Sequence, residues 1–186
     1  RKIFMKLGQG DWFTAGATTR SDQLELAVNA AEILSRQKRG GLIVFPRKTG
    51  IKHIIETGTR INADLSSALI ISIFAYDGPL HDGAIVIQNG KLQAAGCFLP
   101  LSEQQDIRKS FGTRHRAALG LSEESDAVVV VISEETGALS LAWESRLYYD
   151  LTPGNLTRRL KDLMERSNQK IAKEDNEDVK ESFLEI

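Results

Sequence analysis

Three short stretches of this chain carry residue types that chemistry needs. The first is His81-Asp82-Gly83-Ala84, set at the mouth of an apolar run that begins at Ala84. A carboxylate there can hold a divalent metal and lower the pKa of a hydroxyl. Gly83 and Ala84 are small enough to let a ligand approach the backbone closely. The second is "GTRHRAALG", Gly112 to Gly120. Arg114, His115 and Arg116 stand there at the start of an expected helix, where the dipole already disfavours cations. A bound polyphosphate removes that conflict by using the free N–H groups together with Arg114 and Arg116. The third is "SEETG", Ser133 to Gly137, after the run Ala127–Ile132. It places a hydroxyl and two carboxylates at the C-terminal end of a strand, a usual place for ligands in α/β sheets.

Taken singly, each stretch also fits a plainer structure: a turn at Asp82-Gly83, a solvated basic turn, a polar hairpin turn. Taken together they supply a metal-holding acid, a phosphate cradle and a polar turn. Residue types and spacing thus point to a Mg²⁺- or Mn²⁺-dependent nucleotide enzyme. Two familiar nucleotide motifs are missing. No Gly-rich loop ends in Gly-Lys-Ser/Thr, and "GQGDWF" has Phe13 where a dinucleotide motif needs its third glycine. His53 and Cys97 read as structural.

These stretches must be positioned by the elements around them. "SDQLELAVNAAEILSRQKRGG" predicts a helix, with Leu24, Ala27, Val28, Ala31 and Leu34 at helical spacing. Ser21 reads as its N-cap and Gly40 as its stop. Leu42–Phe45 predicts a short buried strand closed by Pro46. "DLSSALIISIFAYDG" fits helix better than strand, capped by Asp64, with Leu65, Leu69 and Ile73 on one face. "GAIVIQNGKLQAAGCFL" predicts a hairpin turning at Asn89–Gly90. "IRKSFGTRHRAALGLSEES" reads as a loop leading into a short helix. "AVVVVISEETGALSLAWES" predicts a second hairpin turning at "EETG", and its first strand, apolar throughout, should be central and covered on both faces. Thr152 caps a last amphipathic helix, with Pro153 at its first position. The fold class is α/β: a mixed, twisted central sheet flanked by helices.

With 186 residues there is room for one domain with a proper core. The expected organisation is a lead-in over residues 1–20, a catalytic domain over 21–168 and a polar, acidic tail over 169–186. A net charge of −1 gives no bulk field to favour nucleic acid or an anionic membrane. The single cysteine excludes an internal disulfide framework and a multi-cysteine zinc site, and it fits a reducing compartment. No apolar run is long enough to cross a bilayer. The chain opens at Arg1 rather than at a methionine, so it reads as a piece of a longer protein.

"PLHDGAIVI", "GCFLPLS" and "GTRHRAALGLSEESDAVVVVISEETGALSLA" together resemble the diadenylate cyclase domain, with its DGA and RHR signatures. The likeness runs from about Asp22 to Leu163 in consistent order and spacing, and is nearest to the membrane-anchored, housekeeping class of bacteria. It implies condensation of two ATP into cyclic di-AMP with release of two pyrophosphates, using Mn²⁺, Mg²⁺ or Co²⁺. It also implies a homodimer, each subunit holding one ATP and facing the other. Asp82 is then the metal-linked base that activates the 3′-hydroxyl, with His81 helping to hold the metal. Gly83 and Ala84 line the nucleotide. Leu99 offers its backbone to the adenine edge and Phe98 lies beside the ring, where relatives often have tyrosine. Thr113 and Arg114 contact ribose and phosphate, and His115 and Arg116 complete the signature. Ser133 and Glu135 approach the triphosphate and the metal. Members of this class carry transmembrane helices ahead of the domain. The resemblance therefore implies a juxtamembrane linker at residues 1–20, a place on the cytoplasmic face of the plasma membrane, and room for regulatory protein partners. Two rival readings are a monomeric metal-dependent transferase or hydrolase acting on one nucleotide, and a nucleotide-binding module without turnover. The first lacks a second dense acidic motif; the intact Asp82 and RHR weigh against the second.

Overall fold

The structure, a computed structural model, describes residues 20–104 and 111–165. The expected lead-in, apart from Arg20, and the acidic tail lie outside the described residues. The chain runs α1 (Arg20–Arg36), β1 (Gly41–Phe45), α2 (Lys52–Ile55), β2 (Thr59–Asp64), α3 (Ser67–Ile73), β3 (Ala84–Gln88), β4 (Lys91–Cys97), α4 (Thr113–Glu124), β5 (Val128–Ile132), β6 (Leu139–Trp143) and β7 (Arg146–Leu151). A last helix, α5, covers 153–165.

All seven strands join one sheet in the order β2-β4-β3-β1-β5-β6-β7. β1 and β3 are parallel, while each other neighbouring pair is antiparallel. The expected mixed α/β architecture is borne out. Strand side chains alternate between faces, and β1 and β5 divide their residues accordingly. Ile43, Phe45, Val128, Val130 and Ile132 enter one core with α1, α3 and α5. Leu42, Val44, Val129 and Val131 enter the other, against α2 and α4. An unbroken valine run is therefore what a strand buried on both faces requires.

Several local signals act as read. Asn89 and Gly90 both take positive φ, of 52° and 77°, in a two-residue hairpin turn between Gln88 and Lys91. Thr152 Oγ1 accepts from Asn155 N–H at 3.3 Å, with Pro153 opening α5. Others are displaced. Ser21 lies inside α1 rather than ahead of it. Helix α1 stops at Lys38, not Gly40: Lys38 takes the left-handed conformation, and Arg39 N–H reaches Leu34 O at 2.9 Å. Ser66, not Asp64, caps α3, accepting from Leu69 N–H at 3.1 Å, because Asp64 is still in strand β2. The edge strands β2 and β7 were not anticipated. β2 is polar and half-exposed, and the turn into β7 uses Glu144 and Ser145 at positive φ instead of glycine.

Helix α4 lies against the loop that follows β4. A Cβ at Gly120 would meet Pro100 O at 2.2 Å and Ser102 N at 2.8 Å, so helix and loop touch backbone to backbone. Gly120→Ala should separate them, at an overpacking cost of roughly 1–3 kcal/mol. A urea midpoint equal to that of the wild type would show that this contact is not tight.

Candidate active site

Strand register brings the three stretches to one end of the sheet. Leu42 pairs with Ala84, Gly41 with Ile132, and Ala84 with Cys97. The starts of β1 and β3 and the ends of β4 and β5 thus share an edge. Gly40, Asp82-Gly83, Phe98-Leu99 and Ser133–Glu135 all project from it. β3 and β5 flank β1, so their ends stand about 10 Å apart, twice the strand spacing.

The Asp82 turn is held by backbone packing. Gly83 has φ of 115°, and a Cβ on it would meet Cys97 O at 2.8 Å. Only glycine satisfies both conditions. Ala84 is fully buried as the first residue of β3, and Asp82 is left exposed at its mouth. His81 Nδ1 donates to Gly78 O, which fixes that nitrogen as the protonated one. Beside the turn, Phe98 N–H donates to Thr57 Oγ1 at 2.9 Å, and Phe98 is 65% exposed. Leu99 is half-buried against the α4-side core. Cys97 is buried beneath them, and burial pushes its thiol up to about 11, which suits the structural role read for it. His53 is exposed on α2.

The basic and acidic stretches meet face to face. Gly112 caps α4 without a side chain, and a Cβ there would lie 3.8 Å from Glu135 Oε1. Thr113 opens the helix and is exposed. Arg114 Nη1 lies 2.6 Å from Glu134 Oε2. Its guanidinium also rests on Gly40, where a Cβ would fall 2.8 Å from Cζ. Ser133 is buried at the base of the turn, its Oγ accepting from Thr136 N–H at 3.3 Å. Glu135 is exposed.

The remaining two residues of the basic signature point elsewhere. His115 is buried, stacked on Phe111 at 5.0 Å between centroids and tilted against Tyr149 at 5.9 Å, with Ser140 Oγ 3.5 Å from Nε2. Arg116 donates from Nη2 to Ser102 O at 3.0 Å. Its own carbonyl accepts from Ser102 N–H at 3.0 Å, and Ser102 Oγ donates to Glu123 at 2.6 Å. Arg116 therefore ties the Phe98–Ser102 loop to α4. Sequence reasoning did not find Gly40 or Ser102, nor that Glu134 of the polar turn pairs with Arg114. "RGG" reads as a helix stop, and nothing in one sequence shows that Arg114 lands on it.

A family model described as DisA bacterial checkpoint controller nucleotide-binding (DAC) matches residues 28–147. The chain belongs to the diadenylate cyclase family. It is 40% identical over 164 residues to cyclic di-AMP synthase CdaA of Bacillus subtilis, covering 86% of this chain and 60% of that protein. It is 39% identical to a diadenylate cyclase of Listeria monocytogenes over the same shares. The chain thus spans about 60% of the length of these curated relatives. A crystal structure of DacA from Staphylococcus aureus superposes with a TM-score of 0.75 at 40% identity, covering 76% of this chain and 95% of that one. A Bacillus cereus structure described as a hypothetical membrane spanning protein gives 0.67 at 43% identity, covering 69% and 63%.

A divalent cation suits the donors at this edge. Asp82 and Glu135 are exposed carboxylates, and the Gly78 contact occupies His81 Nδ1, so Nε2 is the ring nitrogen that suits a metal. Among the described residues no three such side chains close around a single point.

His115 gives this site a pH signature. Burial lowers its pKa below the ordinary 6.5, against a smaller opposing pull from Glu135. The unfolded chain takes up a proton near pH 6.5 that the folded ring resists, so unfolding binds protons and stability falls as pH drops below that value. The melting temperature should decline between pH 7.5 and 5.5, and His115→Gln should flatten the slope whatever it does to the absolute value. An unchanged slope would mean that another group is responsible.

Proposed function

We propose that this chain is the catalytic domain, over residues 21–168, of a diadenylate cyclase that condenses two ATP into cyclic di-AMP and two pyrophosphates. The reading rests on one observation. Asp82, Arg114 and Glu135, distant in sequence, come to one sheet edge together with the N-terminus of α4. The names of the relatives support the same activity.

The residues divide the work as follows. Phe98 lies beside the adenine and Leu99 offers backbone to its edge, on a loop that Arg116 holds through Ser102. Gly83 lets the nucleotide lie close to the backbone, with the small Ala84 buried behind it. Thr113 contacts ribose, while Arg114, Ser133 and the uncapped N–H groups of α4 take the phosphates. His115 keeps the first turn of α4 in place by packing. His81 and Asp82 at the start of β3, and Glu135 after β5, would each offer a ligand to a divalent cation shared with substrate phosphates, whether Mn²⁺, Mg²⁺ or Co²⁺, which when bound supplies charge neutralisation there. The Asp82 carboxylate takes the proton of the 3′-hydroxyl. The oxygen so freed forms a bond to the α-phosphorus of the other ATP, the bond from that phosphorus to the β-bridging oxygen breaks, and pyrophosphate leaves. Positioning accounts for most of the rate in such an in-line transfer.

One pocket cannot supply both partners, so two subunits must face each other. The exposed large apolar side chains support this arrangement. Tyr76, Phe98, Leu101 and Tyr149 are 82%, 65%, 53% and 38% exposed. Phe98 and Leu101 sit on the adenine loop, Tyr149 against His115, and Tyr76 in the segment that delivers Asp82. Exposed side chains of this size beside the site are available to a facing subunit. We infer that the whole protein works at the cytoplasmic face of a membrane with regulatory proteins as partners, and the description of the Bacillus cereus structure supports the membrane setting. Among the described residues no helix is long and apolar enough to cross a membrane.

Asp82→Asn keeps shape and removes the base, so cyclic di-AMP formation should fall by roughly 10²–10⁴. Wild-type turnover in that variant would remove the carboxylate from the mechanism. Specific activity should also rise with protein concentration, and excess Asp82→Asn subunits should poison the wild type, because a mixed pair activates only one hydroxyl. Full activity at concentrations where sizing finds only monomer, unaffected by the mutant, would favour a single-nucleotide enzyme instead.

A further inference from the structure

We propose that Glu134 is a competitive gate on the phosphate site: its carboxylate occupies Arg114 until a nucleoside polyphosphate displaces it. The inference rests on the reading of Arg114 as a phosphate ligand.

The contact is a charge-assisted pair of 2.6 Å between Arg114 Nη1 and Glu134 Oε2. Its two members differ in freedom. The Arg114 side chain is 22% exposed and lies flat on Gly40, where any Cβ would fall 2.8 Å from Cζ, so the guanidinium is held in place. The Glu134 side chain is 60% exposed and stands on a turn whose backbone is fixed from below. Ser133 N–H reaches Ala138 O at 3.0 Å, Gly137 N–H reaches Ser133 O at 3.0 Å, and Thr136 N–H reaches Ser133 Oγ at 3.3 Å. Exchange therefore proceeds by rotation of Glu134 outward, with no change in the backbone or in Arg114.

The electrostatics say why an anion stands there at all. Arg114 is the second residue of α4, where the helix dipole is positive, and Gly112 provides no capping side chain. Without a counter-charge, the guanidinium and the helix end repel each other. A single carboxylate satisfies this pair in the absence of substrate, and a polyphosphate, with more charge and more acceptors, replaces it. Glu134 thus sets a threshold. Ligands whose phosphates reach Arg114 must outcompete it, and ligands without phosphate do not meet it.

The test is calorimetric titration, in Mg²⁺, of a non-hydrolysable ATP analogue and of adenosine into the wild type, Glu134→Gln, Arg114→Ala and the double variant. Glu134 is exposed, so its amide should leave the melting temperature unchanged. Glu134→Gln should bind the analogue about two- to fivefold more tightly, the scale of an exposed ion pair. Adenosine affinity should not move, and the gain should vanish in the Arg114→Ala background. If Arg114→Ala binds the analogue as well as the wild type does, Arg114 is no phosphate ligand and the reading beneath the gate fails. If Arg114→Ala weakens binding but Glu134→Gln leaves it unchanged or weaker, that reading stands and the gate is wrong. Glu134 would then be a positioning partner of Arg114.

Discussion

β1 is buried on both faces, and its pairing with β3 on one side and β5 on the other fixes where every other element can end. The register is not free to slip. Moving β1 by one residue would exchange Ile43 and Phe45 with Leu42 and Val44 between two cores of different shape. A slip that moved Leu42 to the place of Gly41 would also put a side chain where even a Cβ would fall 3.1 Å from Ile132. Because β3 runs parallel to β1 and β5 antiparallel, the start of one neighbour and the end of the other fall on the same edge. Asp82 and Ser133–Glu135, some fifty residues apart, come to one sheet edge for that reason alone.

The second constraint is close backbone approach. Gly83 turns the chain into β3 against the Gly96–Cys97 backbone, and Gly120 lets the Phe98–Ser102 loop lie on α4. Gly40 gives Arg114 a flat surface. At each place a side chain would displace a functional group rather than fill a gap. The site is rigid where glycine permits contact and open where Asp82, Phe98 and Glu135 stand exposed.

Charge is handled by division of labour within one signature. Of three successive basic residues on α4, Arg114 faces Glu134, His115 is withdrawn into an aromatic stack, and Arg116 binds a carbonyl of the neighbouring loop. Helical geometry turns successive residues by about 100°, so three adjacent side chains must point in three directions. A single phosphate cradle could not have used them all in the same way.

Much of this was legible in the chain itself. Apolar alternation and unbroken apolar runs gave the strands of the two hairpins, and helical spacing gave α1. Asn89-Gly90, Thr152 and Pro153 marked their turn and cap, because each acts through its own backbone geometry. The residue types of the candidate site were likewise visible in the DGA, RHR and SEE stretches. What could not be read were features that depend on a partner far away in sequence. Strand β2 is polar, and only its pairing with β4 makes it a strand. Asp64 looked like a helix cap but is the last residue of that strand, so the cap passed to Ser66. Gly40 looked like a helix stop, although Lys38 performs that role and Gly40 serves Arg114. Local signals are encoded by side chains acting on their own backbone, and the sequence determines those alone. Which carboxylate meets which arginine, and which glycine lies beneath it, was decided only by the register of the sheet and the packing of α4 on it.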